Sequence, residues 1–178
     1  MRISIQVTVP KELLSQKQVQ DSIAYTMAHK SALEVKSMFR ATTEGWKNKP
    51  TFKQKLVRRA WSISETIYPD GANYDQYAIV NYGSPPHIIH IKNAQVLSWQ
   101  PGYSPSTRPR VISSRANKRS GPFFHRQLVQ HPGFEAREFD ATIAKIYAPT
   151  FKQDIEDAVN AVAVRQSTAS KVLKFFSS

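Results

Sequence analysis

The chain lacks cysteine, and this absence excludes several kinds of site at once. None of its 178 residues is a cysteine. A disulfide framework, a thiolate zinc site, an iron–sulfur cluster and a cysteine nucleophile therefore cannot form. The sequence also has no apolar run of roughly 18 residues, so it predicts no membrane-spanning helix. Its first residues have no signal-peptide core, and we expect the protein to be made, and to stay, in a cytoplasm-like compartment.

Acidic residues are scarce as well. Against 25 Lys and Arg there are only 13 Asp and Glu, and the formal net charge is +12. Such an excess favours contact with a polyanion, either nucleic acid or an acidic protein surface. The plainer interpretation is that the charge only keeps a soluble protein from aggregating. Because the length and the 40% of hydrophobic residues suffice for one core, we expect a single domain over residues 1–165 and a C-terminal tail over residues 166–178.

The first half of the chain shows two clear periodicities. Residues 2–9 alternate between apolar and polar side chains, which predicts a half-buried strand. Residues 17–45 have the helical period and end at Gly45, a good stop signal. The apolar stripe of this predicted helix comprises Val19, Ile23, Met27, Ser31, Val35, Met38 and Thr42, widened by Leu33 and Phe39.

Several short strands are predicted further along. Residues 52–68 alternate as a strand does, the segment 69–71 (PDG) is a turn, and residues 77–82, 87–91 and 123–129 are typical of short strands. The links between them are too short for helical crossovers, which favours antiparallel pairing. From Glu138 the helical period returns, with Pro149 inside it, so we expect a kink or two helices there.

These elements together predict an α+β fold. It consists of an antiparallel sheet of about four to five strands packed against a long N-terminal helix and a kinked C-terminal helix. Residues 93–122 contain four prolines and no acidic residue, and we interpret residues 100–121 as a long basic loop or arm.

Histidines are the only candidates for catalysis, and they are weak ones. His87 and His90 are three residues apart on a predicted strand, so they face opposite sides and cannot easily share a metal. No Asp or Glu lies near His125 or His131 to orient the imidazole. No phosphate-binding loop, metalloprotease motif or nucleophile elbow occurs. We expect no enzyme, no cofactor and no metal; a small hydrolase such as a ribonuclease that uses these histidines is the weaker alternative.

Two basic segments are more informative. Residues 47–59 carry six Lys and Arg and no acid, with Trp46, Phe52 and Trp61 interleaved. These aromatics could stack on bases, but a place in the core is favoured, with the lysines on a solvated edge strand. The better candidates for contact with a polyanion or a partner lie in the loop: Arg108, Arg110, Arg115, Lys118 and Arg119.

The order of motifs resembles that of a known family. Residues 77–84 (YAIVNYGS), 86–89 (PHII) and 94–99 are followed by residues 129–139 (VQHPGFEAREF). This succession is similar to the tail-component family of long-tailed bacteriophages, and the resemblance covers residues 17–165. Ser84 stands where threonine is common in the family, and the segment 100–121 is longer than expected there.

The resemblance implies a structural protein of the virion, made in the host cytoplasm, at the interface of head and tail. Members are neck, tail-completion or tail-terminator proteins that form rings, usually hexameric. The implied partners are further copies of the chain, the tail tube protein, the head connector or stopper protein, and DNA passing through the lumen, with no membrane. The alternative is a basic nucleic-acid-binding module.

The resemblance also gives architectural roles to a set of motif residues. Gly83 turns the chain after its strand, and His131 is expected to donate a hydrogen bond to a loop carbonyl. Further motif residues are His87 and the corner formed by Pro132 and Gly133.

An inter-subunit contact is expected from residues of opposite charge on two elements. The acidic group is interpreted as a solvated face of the last helix, complementary to a basic strand of a neighbouring copy. The acidic residues are Asp154, Glu156 and Asp157, and the basic ones are Lys53, Lys55 and Arg58.

Overall fold

The structure, a computed structural model, describes residues 3–8, 17–60, 62–71, 73–92, 94–102, 105–116 and 118–176. Trp61, named above as an aromatic that could stack on bases, lies outside the described residues, as do the ends of the predicted first strand and the last two residues of the tail.

Helices and small antiparallel sheets alternate along the chain, so the α+β class is confirmed. The elements are β1 (Ile3–Thr8), α1 (Lys17–Thr26), a π-helical turn (Met27–Ser31), α2 (Ala32–Thr43), β2 (Thr51–Arg59), β3 (Ser62–Asp70), α3 (Tyr74–Tyr82), β4 (His87–His90), β5 (Leu97–Trp99), β6 (Phe124–Arg126), β7 (Leu128–His131) and α4 (Phe139–Phe176). Because α1, the π turn and α2 are continuous, the described residues form three helices.

The strands of the described residues divide into three small sheets instead of the single predicted one. One sheet has the order β1-β3-β2, and the other two are the pairs β4-β7 and β5-β6. Two of the predicted strands are each divided in two: residues 52–68 form β2 and β3, and residues 123–129 fall in β6 and β7, which pair with different partners.

The predicted strand at residues 77–82 is wrong, since this segment belongs to helix α3. Its buried residues, Tyr77 and Asn81, are four apart, which is the spacing of one helical face. The amides of Arg137 and Glu138 donate to the carbonyls of Val80 and Asn81 at 3.2 and 3.0 Å. These bonds satisfy the carbonyls that a helix end leaves open, so tertiary contacts favour a helix where the apolar pattern alone suggests a strand.

By its contacts the chain divides into two compact units. The first, here called the ribbon unit, contains Met38–Phe52 and Pro69–Ile143. The second, the helical unit, contains Arg2–Ser37, Lys53–Tyr68 and Ala144–Ser178. Each unit is built from separate stretches of chain, a division that hydropathy patterns do not reveal.

The helical unit has an apolar side-chain core. Its fully buried members come from α1, the π turn, β3 and α4, and partly buried side chains pack against them. Strand β1 pairs with β3 from Ile3 opposite Ile67 to Thr8 opposite Ser62. Helix α4 is continuous through Pro149, so the predicted split into two helices does not occur. The buried set is Val19, Ile23, Ala24, Met27, Ile63 and Val162.

One residue of the predicted stripe of the first helix is exposed. Leu33 is 55% exposed, so the expectation that it widens the buried face of this helix is wrong. Leu33 lies two positions before the buried Val35, which is about 200° around a regular helix, so its side chain faces away from the buried stripe.

The ribbon unit has an aromatic centre. The ring of Tyr77 lies 5.4–6.1 Å from those of Phe39, Phe52, Trp46 and Phe139. All five residues are buried. Burial raises the pKa of Tyr77, the hydrogen bond between the hydroxyls of Thr42 and Tyr77 opposes the rise, and the charge of Asp140 adds to it. The expectation that Trp46 and Phe52 belong to the core is confirmed.

Candidate functional site

Two motif blocks of the resemblance, residues 77–89 and residues 129–139, form one structure in the ribbon unit. Strand β4 from the first block pairs with β7 from the second, with His87 opposite His131 and Ile89 opposite Val129. Beyond the strands, Ser84 and Phe134 exchange backbone hydrogen bonds of 3.0 and 2.9 Å. Segments that are distant in sequence are therefore joined by backbone hydrogen bonds at several positions.

Two motif glycines make this join possible. Gly83 has φ +80°, and a Cβ there would lie 2.7 Å from the Ala136 amide nitrogen. Gly133 has φ +78°, and a Cβ there would overlap the backbone of Ser84 and Pro85. Each glycine thus faces the other motif block. Both positions need the left-handed region and a close backbone approach, which only glycine provides without strain.

The two motif histidines stack on the β4-β7 pair. The rings of His87 and His131 have centroids 4.9 Å apart and planes inclined by 29°. His87 Nδ1 lies 2.9 Å from the carbonyl oxygen of Pro85 and 3.2 Å from Ser84 Oγ. His131 Nδ1 accepts a hydrogen bond of 3.0 Å from the amide of Gly133. At this nitrogen His131 accepts, where the resemblance leads us to expect donation to a carbonyl, and it fixes the corner that includes Pro132.

The basic loop 100–121 is anchored at several points. Ser114 Oγ accepts from the amide of Gly45 at 2.6 Å and donates to the carbonyl of Ala41 at 3.2 Å. The amide of Arg115 donates to the carbonyl of Ser106 at 2.9 Å. Thr107 is buried. The described part of the loop is therefore held to the rest of the ribbon unit by hydrogen bonds and is not an extended arm.

The loop cations differ in their surroundings. Arg110 forms an ion pair with Glu138 at 2.8 Å, and this contact raises the pKa of the guanidinium. The side chains of Arg108, Arg115, Lys118 and Arg119 are exposed. The structure thus places four of the five predicted loop contacts at the surface, and no carboxylate of the described residues forms an ion pair with Arg108, Lys118 or Arg119.

Asp154 is not part of a solvated face, so this expectation is wrong. The side chain is 3% exposed and accepts hydrogen bonds from Lys30 Nζ at 2.8 Å and Tyr147 OH at 2.7 Å, with Ser31 Oγ at 3.4 Å. Burial by itself raises the pKa of Asp154, but the bonds from Lys30 and Tyr147 and the lysine charge hold the pKa below its ordinary value. The position is buried because it follows Tyr147 by seven residues, two helical turns, on the same face of α4.

The other proposed inter-subunit residues are at the surface of the helical unit. Glu156 lies 3.8 Å from Lys152, and Asp157 accepts from Gln153 at 2.8 Å. On β2, Lys53, Lys55 and Arg58 are exposed, and Arg58 forms an ion pair of 2.7 Å with Asp21 of α1. Five of the six residues are therefore exposed, and Arg58, Glu156 and Asp157 each already contact a side chain within the chain.

The remaining histidines give no catalytic arrangement among the described residues. Ser98 Oγ lies 2.8 Å from His125 Nδ1, but both residues are exposed, and no carboxylate in the described part of the chain forms an ion pair with this imidazole. The described residues contain no group of three His, Asp or Glu side chains placed to hold a metal ion. No helix among them is long and apolar enough to cross a membrane.

Sequence reasoning missed an aromatic and basic surface on the β5-β6 pair. Trp99 and Phe124 lie opposite each other, with ring centroids 6.0 Å apart and planes inclined by 28°. Phe123 beside them is 63% exposed. Trp99, Phe123 and Arg119 also line a cleft of about 1320 Å³ in the ribbon unit. The sequence signal that points to this surface is the pairing of bulky aromatics with cations in residues 118–126.

The comparisons with known proteins add no relative. No protein-family model, no curated protein and no solved structure matches this chain.

Proposed function

We propose that this chain is a structural virion protein of a long-tailed bacteriophage, located at the interface of head and tail. Copies form a ring, with six subunits as the expected number, that completes or terminates the tail tube and joins it to the head connector. The observation that carries the proposal is the reciprocal join of the two motif blocks, with Gly83 against Ala136 and Gly133 against Ser84 and Pro85.

The chemistry of the motif residues supports a structural role. Gly83 and Gly133 have no side chain, and His131 bonds to the backbone of its own corner. These groups shape the chain and are not aimed together at a substrate. A motif that specifies backbone geometry is what an assembly protein needs, because its function depends on presenting surfaces in a fixed arrangement.

Exposed apolar side chains on two different elements support a ring. On α3, Ile79 and Tyr82 are 53% and 60% exposed and lie three residues apart, on one face. On the outer face of the β4-β7 pair, Ile88 and Leu128 are 54% and 50% exposed. A ring interface is heterologous and joins two different patches, so one such patch on each element fits that geometry.

The mass in solution tests the ring. Light scattering at low and moderate salt should give a discrete multimer, and Ile88→Glu with Leu128→Glu should convert it to monomer, because the charges cannot be buried in an interface. Leu33→Glu is the matched control, since Leu33 is equally exposed but lies in the helical unit. A monomer at every concentration, also with no rings in electron micrographs, would contradict the proposal.

The charged pairing proposed from the sequence now rests on fewer residues. Because Asp154 is buried, only Glu156 and Asp157 can face Lys53, Lys55 and Arg58 of a neighbouring copy. Lys55→Glu with Arg58→Glu should then weaken the multimer, more at low salt than at high salt. A ring that assembles unchanged in this double variant would contradict the charged pairing but not the apolar interface.

A further inference from the structure

The strongest surface feature that the proposed function leaves unexplained is a long stretch without carboxylates. Between Asp75 and Glu135 the sequence contains no Asp or Glu, whereas seven Lys and Arg residues occur there. This stretch includes β4, β5, β6 and β7 of the ribbon unit. Most of an average protein surface mixes both signs of charge, so a uniform sign over this length creates a positive field that attracts a polyanion.

The β5-β6 pair concentrates exposed cations beside aromatic rings. Phe124 and Arg126 are two residues apart on β6 and therefore share a face, on which Trp99 pairs with Phe124 and Leu97 with Arg126. Every described residue from 118 to 128 is exposed. This surface, here called the basic ribbon, comprises Trp99, Lys118, Arg119, Phe123, Phe124 and Arg126.

The cations of the basic ribbon are available to a ligand. Among the described residues no carboxylate forms an ion pair with Lys118, Arg119 or Arg126, in contrast to Arg110 with Glu138 and Arg58 with Asp21. An ion pair would have to be broken before a phosphate could bind, and these three side chains need no such exchange.

We propose that the basic ribbon binds the phosphodiester backbone of nucleic acid, with Phe123 offering an exposed ring to unpaired bases. Cations tracking a backbone beside aromatic faces are the combination that binds nucleic acid strands without sequence preference. This proposal rests on the proposed function in one respect. A ring on the tail encounters the DNA that passes through it, and this brings the basic ribbon close to its ligand. An acidic protein surface would use the cations but has no need of an exposed aromatic ring among them.

The salt dependence of binding tests the cations. A labelled duplex of about 30 base pairs is titrated by fluorescence anisotropy at several salt concentrations. Each phosphate contact contributes about 0.9 to the slope of log K against log salt. The triple variant Lys118→Ala, Arg119→Ala, Arg126→Ala should therefore lower the slope by about 2–3. If the triple variant fails to fold by circular dichroism, Arg126→Ala alone should lower the slope by about 1.

A control of equal charge separates the surface from the net charge. Arg40→Ala, Lys145→Ala, Arg165→Ala also removes one Lys and two Arg, all exposed on helices. This control should leave the slope nearly unchanged. An equal loss in both triple variants would overturn the proposal, because binding would then reflect bulk charge alone. Displacement of the duplex by polyglutamate at an equal concentration of charge would overturn it too, and would assign the surface to an acidic protein.

A separate experiment tests the exposed ring of Phe123. Phe123→Ser should weaken binding of a single strand of the same length about tenfold, since stacking on one base contributes ~1–3 kcal/mol, and leave duplex binding unchanged. Unchanged single-strand binding would remove Phe123 from the site. The mass of each variant by light scattering is measured in parallel: a monomer with an intact salt slope contradicts the ring alone, and a ring with no slope contradicts the basic ribbon alone.

Discussion

The two units of the chain hold themselves together by different means. In the helical unit, apolar side chains at helical spacing fill a core between α1, β3 and α4. In the ribbon unit, long irregular segments are fixed around an aromatic centre by backbone approaches at glycine and by single hydrogen bonds such as that from the Gly45 amide to Ser114. The stability of the first unit therefore depends on side-chain volume, and that of the second on close approaches of the backbone.

The sharpest test of this comparison is a single methyl group at Gly133. Gly133→Ala places a Cβ against the backbone of Ser84 and Pro85 at φ +78°. Positive φ costs roughly 1–2 kcal/mol and overpacking about 1–3 kcal/mol more, so we expect a loss of ~2–5 kcal/mol in the free energy of unfolding. Urea denaturation measures this loss.

Gly71→Ala is the control for that experiment. Gly71 has φ +90°, but the nearest atom to its Cβ, Thr51 Oγ1, would be 3.9 Å away. It should cost only the strain of positive φ, roughly 1–2 kcal/mol. Equal losses at both glycines would show that the close backbone approach contributes nothing, and the view that the motif blocks are joined through Gly133 would fail.

The same difference explains how much of the fold could be predicted. Ile23 and Val35 belong to a series of buried apolar residues that recurs every three to four positions. This local pattern predicts the helix, and Gly45 predicts where it ends. The segment 77–82 is also rich in apolar residues, and its local pattern suggests a strand. It is helical because Tyr77 packs in the aromatic centre and the amides of residues 137 and 138 donate to the carbonyls at its end. Such contacts come from distant positions, which a local pattern cannot contain.

The candidate site was likewise predictable in part. The glycines and the corner at His131 are visible in the sequence because turns need particular residue types. The partner of β4 is not, since β7 is 38 positions or more further along and no spacing rule specifies the register. The charge of Asp154 suggests a position in solvent, but the side chain is buried. Its burial is possible because the hydroxyl of Tyr147 and the ammonium of Lys30 donate hydrogen bonds to it.

In the helical unit we expect the buried carboxylate of Asp154 to stabilise the fold, as the glycines do in the ribbon unit. The variant Asp154→Asn tests this expectation. The change removes a carboxylate that receives bonds from Lys30 and Tyr147. Hydrogen bonds to a charged group contribute about 1.5–3 kcal/mol, so we expect a loss in that range near neutral pH. Asp157→Asn, at an exposed position of the same helix, should change stability by less than about 0.5 kcal/mol.

The pH dependence of the stability lost in Asp154→Asn shows whether the charged form of Asp154 stabilises the fold. Because the folded pKa of Asp154 is held below its ordinary value, its carboxylate stabilises the fold above the unfolded pKa, and this stabilisation is lost as pH falls through the folded pKa. The difference between wild type and Asp154→Asn, followed by urea denaturation, should thus shrink below about pH 4. A constant difference down to acid pH would assign the effect to packing.

The smallest expected effect concerns Glu65, which stands among apolar residues on the buried face of β3. It is 1% exposed and neither carboxylate oxygen has a hydrogen-bond partner in the described part of the chain. Burial raises its pKa, and the charge of Lys36 opposes the rise only in part. A carboxyl with a raised folded pKa favours the fold below the unfolded pKa and disfavours it as pH rises through the folded pKa.

Glu65→Gln should therefore stabilise the protein by about 1 kcal/mol at pH 8 and have little effect at pH 4, where wild type is protonated as well. Glu34→Gln, on the exposed face of α2, serves as the control and should show no such trend. Thermal unfolding at the two pH values distinguishes them. A destabilised Glu65→Gln at pH 8 would mean that the carboxylate is paired in solution with Lys36, and that the helical unit uses this buried charge as it uses Asp154.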